Sequence, residues 1–158
     1  VVIIASTFFT TETQRAQRKH REKQRKDVSY MLTHVNDLTR IIIGAAIEVH
    51  RHLGPGLLES AYHRSLAREL EIHQIPFKFK WPLPLEYKGL RLNKAYEIDL
   101  LVADLVIVEV KSVIDIAPIH EAQLLTYMRL CRVRIGLLMN FNEVVLKKGI
   151  RRRILDFE

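Results

Sequence analysis

The chain has a single cysteine, Cys131. One thiol excludes an intramolecular disulfide and falls short of a thiolate zinc site; its plainest role is a small hydrophobe on a helix. Long apolar runs are also missing. None approaches the roughly 18–20 residues that span a bilayer, so no transmembrane helix is expected. The apolar opening Val1–Phe9 is short and has no positive charge before it, a poor form for a secretory signal. These absences together point to a reducing, cytoplasmic setting and no membrane partner. Nor is there a glycine-rich phosphate loop, a Ser–His–Asp signature or a zinc-ligand cluster. His50, His52, His63, His73 and His120 are scattered over three expected helices.

What is present suits one domain. A chain of 158 residues, 48% hydrophobic and 27% charged, can build a core without staples. Its net charge is +7, and residues 1–30 hold +4 of that, from seven Lys/Arg against three acids. This segment is a Gln/Arg/Lys run with little to bury, read as a basic, disordered extension. The domain proper is expected over residues 31–158, beginning near Met31. A basic arm can contact nucleic-acid phosphates, but it is as often simply solvated.

Periodicity orders the rest. Ile41, Ile42, Ala45, Ala46, Val49 and Leu53 predict a helix from Leu38 to about His52, ended by Gly54-Pro55-Gly56. A second helix is expected over about 57–73. Phe77–Trp81 alternates, and Pro82 and Pro84 mark an edge strand. Further strands are expected over Tyr96–Val102 and Leu105–Val110, the latter nearly continuous aliphatic and hence covered on both faces. A helix from Pro118 to about Arg132 follows, then strands Ile135–Met139 and Val144–Leu146. The fold class is mixed α/β, order ααβββαββ, with one central sheet flanked by helices.

The chemistry concentrates in the buried strand. Glu109 and Lys111 share one face of it. Taken alone they could be a plain ion pair at a strand end. The turn near Ala103-Asp104 brings Asp99 from the preceding strand beside them. Two carboxylates in an apolar sheet repel and raise one pKa, and a divalent cation would relieve that repulsion. Gln123 and Tyr127 are four residues apart, so they share a helix face. Glu59 stands in a helix's first turn, where the dipole favours a carboxylate.

The Asp99-x9-Glu109-x-Lys111 arrangement resembles the PD-(D/E)xK nuclease superfamily, whose core is restriction-endonuclease-like. The resemblance implies that Asp99, Glu109 and the Val110 carbonyl hold Mg²⁺ or Mn²⁺ and that Lys111 assists attack by water. Pro118–Tyr127 resembles the Gln-x3-Tyr element of RecB-type nucleases, which implies that Gln123 and Tyr127 support the site. Gly56-Leu57-Leu58-Glu59-Ser60-Ala61-Tyr62 is similar to the motif of the GxxExxY family, a bacterial group in the same superfamily, and implies that Glu59 adds an acid to the metal shell. The likeness covers about residues 36–154 and departs at Asn142, where a glycine is usual. The function implied is metal-dependent hydrolysis of nucleic-acid phosphodiester bonds, with DNA as the partner. The alternative is a non-catalytic nucleic-acid-binding or protein-interaction module that retains the fold. Oligomeric state, a homodimer included, is left open.

Overall fold

The computed structural model describes the backbone of residues 3–157 and the side chains of residues 14–19 and 34–157. The chain divides into two compact units at Leu38/Thr39. The first is helical. The second holds the last turns of the first helix and every element after it.

Helix α1 spans Ile3–Leu53, well before the Leu38 start that apolar spacing gives. The Gln/Arg/Lys/Glu composition before Leu38 lacks an apolar stripe but consists of good helix formers. Gly54 and Gly56, at φ 67° and 94°, then turn the chain in a region that favours glycine. Helix α2 runs Glu59–Ile72 and buries Tyr62, His63, Leu66 and Leu70. Strands β1 (Phe77–Tyr87), β2 (Leu90–Val102), β3 (Val106–Lys111), β4 (Ile135–Asn140) and β5 (Ile150–Ile154) form one sheet in sequence order. Only β3 and β4 are parallel, and α3 (Pro118–Cys131) makes their crossover. Mixed α/β architecture in the expected order is what the structure shows.

Two strand expectations need correcting. Val144–Leu146 is not a strand. Val144 and Val145 lie in an exposed loop, a 3₁₀ turn covers Leu146–Gly149, and the last strand is Ile150–Ile154, inside the basic end. It pairs with β4 at the sheet edge, where arginines discourage pairing with another chain. The segments before and after Pro82 and Pro84 are one strand, β1, with a register shift between Leu83 and Leu85. It too lies at an edge, as the prolines require.

One cluster of the core lies against α3. Leu101, Ile107 and Leu138 from three strands pack with Leu124, Tyr127 and Met128. Gly136 allows this approach: a Cβ there would stand 2.6 Å from Met128 Sδ and 2.9 Å from Leu124. Ala103 and Asp104, at φ 51° and 57°, make the tight turn that sets β3 beside β2. Among the described residues no helix is long and apolar enough to cross a membrane.

Candidate active site

The β2–β3 ladder ends at Leu100↔Val108. One step further the register would set Asp99 opposite Glu109, and directly opposed residues share a sheet face. There the side chain of Asp99 takes over the pairing: Oδ2 accepts the Val110 backbone N–H at 2.9 Å. Both carboxylates are buried, Asp99 4% exposed and Glu109 2%. Lys111 Nζ donates to Glu109 Oε1 at 2.7 Å. The expected acid pair and lysine therefore gather at the end of the sheet's central strand.

Two basic neighbours of Asp99, Lys80 and His63, were not anticipated. Lys80 Nζ donates to Asp99 Oδ1 at 2.6 Å. Lys80 has a left-handed φ of 49°, and the β1–β2 register, Phe79↔Leu100 and then Trp81↔Ile98, sets it opposite Asp99. His63, buried on α2, places Nε2 3.0 Å from Asp99 Oδ2 and 3.8 Å from Glu59 Oε1. It lies off the line of a hydrogen bond, so Nε2 is buried without a hydrogen-bond partner. A signal existed: His63 follows Glu59 by four residues and so shares its helix face.

The two acids feel opposite fields. Burial pushes the Glu109 carboxyl up to about 7, the charge of Asp99 adds to the rise, and Lys111 only partly offsets it. Burial also works to raise Asp99, but His63, Lys80 and the Val110 N–H outweigh it and hold this carboxyl below its ordinary value. Burial alone would lower Lys111; its Glu109 partner, then Glu59 and Asp99, raise it instead, so it stays an ammonium. Glu59 thus lies within electrostatic reach of both Glu109 and Lys111. Tyr127 does too. Burial raises its phenol, Gln123 pulls it back, and the Glu109 charge raises it further. Gln123 Nε2 donates to the Tyr127 hydroxyl at 2.5 Å, as their spacing led one to expect.

Three loops frame this end of the sheet. Tyr62 donates its hydroxyl to the Gly54 carbonyl at 2.7 Å, accepts the Leu57 N–H at 3.0 Å, and stacks on Phe141. In the Gly56–Tyr62 motif it is therefore a clamp, and Glu59 is the member that faces the site. Ser112 donates to the Leu57 carbonyl at 2.7 Å. Buried Asn140 joins the other two loops, accepting the Val113 N–H at 3.0 Å and donating to the Val113 carbonyl at 2.8 Å. His120 caps α3, its Nδ1 accepting the Ala117 N–H.

Among the described residues no group of three His, Cys, Asp or Glu side chains closes into a metal cage. A hard cation such as Mg²⁺ does not demand one: it takes one or two carboxylates and keeps its waters. Glu109 Oε2 is buried with no hydrogen-bond partner, beside a second carboxylate. That is the donor a cation of this kind would fit.

A mixed sheet whose central strands part over two buried acids and a lysine, with a helix crossing over it, is a restriction-endonuclease-like fold. A family model described as the PD-(D/E)XK nuclease superfamily matches residues 36–153, and the chain belongs to that superfamily. No curated protein and no solved structure matches the chain.

Proposed function

We propose that this chain is a divalent-metal-dependent nuclease that hydrolyses phosphodiester bonds in DNA. The observation that carries the reading is the partnerless buried Oε2 of Glu109, a carboxylate that feels the charge of Asp99 and pairs with Lys111 through Oε1. An acid pair of that kind, with one oxygen left unpaired, suits a divalent cation that takes a few carboxylates and keeps its waters. Asp99, Glu109 and the Val110 carbonyl would hold it, with Glu59 as a further acid. Bound there, Mg²⁺ or Mn²⁺ supplies Lewis-acid activation of water and phosphate.

The chain's own groups have separable tasks. Lys111, kept protonated by Glu109, offsets negative charge that builds on the phosphate during attack. Lys80 and the Val110 N–H fix both oxygens of Asp99. Gln123 holds the Tyr127 hydroxyl near Glu109, the role a RecB-type element would have. Tyr62 and Glu59 divide the GxxExxY motif between loop clamp and site acid.

The test is cleavage of single- and double-stranded DNA with Mg²⁺ or Mn²⁺ against chelator. Metal-dependent cleavage lost in Lys111→Ala supports the reading; no cleavage of any nucleic acid under any metal rejects it.

A further inference from the structure

The three loops that frame the site also share an unusual surface. Each presents a nearly bare aliphatic side chain: Leu58 is 80% exposed, Ile114 87% and Val144 85%. These are not scattered. Leu58 precedes Glu59, and Ile114 follows Lys111 by three residues. Val144 belongs to the loop leaving Asn140, the residue that pairs with Lys111 in the β3–β4 ladder. Ser112 to Leu57 and Asn140 to Val113 tie the loops together at the same end of the sheet. Immediately after Val144 and Val145, the 3₁₀ turn carries Lys147 and Lys148. Both are exposed, and no described acid lies within ion-pair distance of either. The turn is held close, because Gly149 packs against the Asn140 carbonyl.

An apolar rim beside two exposed ammoniums that lack an ion-pair partner among the described residues fits a ligand with an anionic backbone and accessible apolar faces. Single-stranded nucleic acid has both; in a duplex the base faces are hidden by stacking, and aliphatic wedges gain contact only where steps open. We propose that Leu58, Ile114 and Val144 receive unpaired bases at the mouth of the site, while Lys147 and Lys148 hold the adjoining phosphates. The substrate class is then DNA with single-stranded or frayed segments. This inference rests on the nuclease reading for the orientation of the strand toward Lys111.

The experiment is fluorescence-anisotropy titration of the full chain, in chelator so that nothing is cut, with a labelled single-stranded DNA oligonucleotide and with the same sequence as a blunt duplex. Ile114→Ser/Val144→Ser is expected to weaken single-strand binding about tenfold and to leave duplex binding unchanged. Both side chains are exposed, so the fold should survive, and circular dichroism checks it. Lys147→Gln/Lys148→Gln is expected to weaken both probes and flatten the salt dependence. An unchanged single-strand to duplex ratio in the serine variant would overturn the proposal. So would a failure of the parent to bind either probe while the serine variant alters its mass in light scattering, which would make the rim a self-association surface. A parent that never cleaves yet keeps the rim-dependent preference would sink the nuclease reading and leave the rim standing.

Discussion

Glu109 has a folded pKa of about 7 against an ordinary 4.5. Between those values the folded chain holds a proton that the unfolded chain has released. Stability from this group is therefore full below about pH 4.5 and falls as pH rises to about 7, then levels off. In chelator, unfolding free energy should drop over that window, with Glu109 contributing on the order of 3 kcal/mol. Urea denaturation at several pH values checks this: Glu109→Gln should flatten the profile, and an equally steep profile in the variant would refute the assignment. Asp99 runs the other way. Its depressed carboxyl stabilises the fold above its ordinary value and loses that stabilisation only as pH falls through the folded value. Symmetry between two buried acids would suggest that neutralising either one relieves repulsion. The structure breaks that symmetry, because Lys80 and His63 both lean on Asp99. Asp99→Asn is accordingly expected to destabilise the chain by about 1–3 kcal/mol, since the Lys80 ammonium loses its counter-charge. A variant more stable than the parent at neutral pH would show that repulsion governs Asp99 after all. At this scale, strand alternation and the Ala103-Asp104 turn were enough to bring Asp99, Glu109 and Lys111 together. Lys80 and His63 stayed hidden because their contacts depend on the β1–β2 pairing register and on helix packing, which no local pattern encodes.

Elements that position these residues are held by a few close contacts. Tyr62 makes two hydrogen bonds to the Gly54–Leu57 turn. Tyr62→Phe keeps the ring stacked on Phe141 but loses both, at about 1–2 kcal/mol. Thermal melting should register that loss, and any cleavage activity should fall further than the melting shift explains, because Glu59 is carried by the same turn. Gly136 tests the α3 packing. Gly136→Ala would drive a methyl into Met128 and Leu124, with an expected cost of about 1–3 kcal/mol in urea denaturation; no change would mean that α3 can simply move away. Elements with strong periodicity were legible: α2, β3, α3 and β4 fall within a residue or two of their expected spans. Strand β5 was not. Its Ile150-Arg-Arg-Arg-Ile154 stretch lacks the apolar alternation of a half-buried strand, since an edge position lets long charged stems replace aliphatic residues. Val144-Val145-Leu146 looked more like a strand, yet only Leu146 turns inward.

For the whole molecule, the superfamily match over residues 36–153 lies almost entirely within the unit that starts at Thr39. Residues 1–30 fall outside it. Their deletion is expected to leave the melting temperature nearly unchanged and to weaken nucleic-acid binding at low salt, where seven Lys/Arg act through phosphate contacts. A large fall in melting temperature would instead place the domain boundary earlier in the chain. Composition and order of elements were enough to give the mixed α/β class. They could not give the extent of α1, because helix formers without an apolar stripe carry no periodic signal.

The central claim is that Asp99, Glu109 and Lys111 form a cation-dependent cutting site, and nuclease activity on DNA with Mn²⁺ or Mg²⁺, compared between the parent chain and Lys111→Ala, tests it most directly. The parent should cleave with metal and not in chelator, while Lys111→Ala stays folded and cuts about 10²–10³ times more slowly, the effect of removing one positioned charge from the reacting phosphate. Equal cleavage by the two proteins, or cleavage that persists in chelator, would contradict the account.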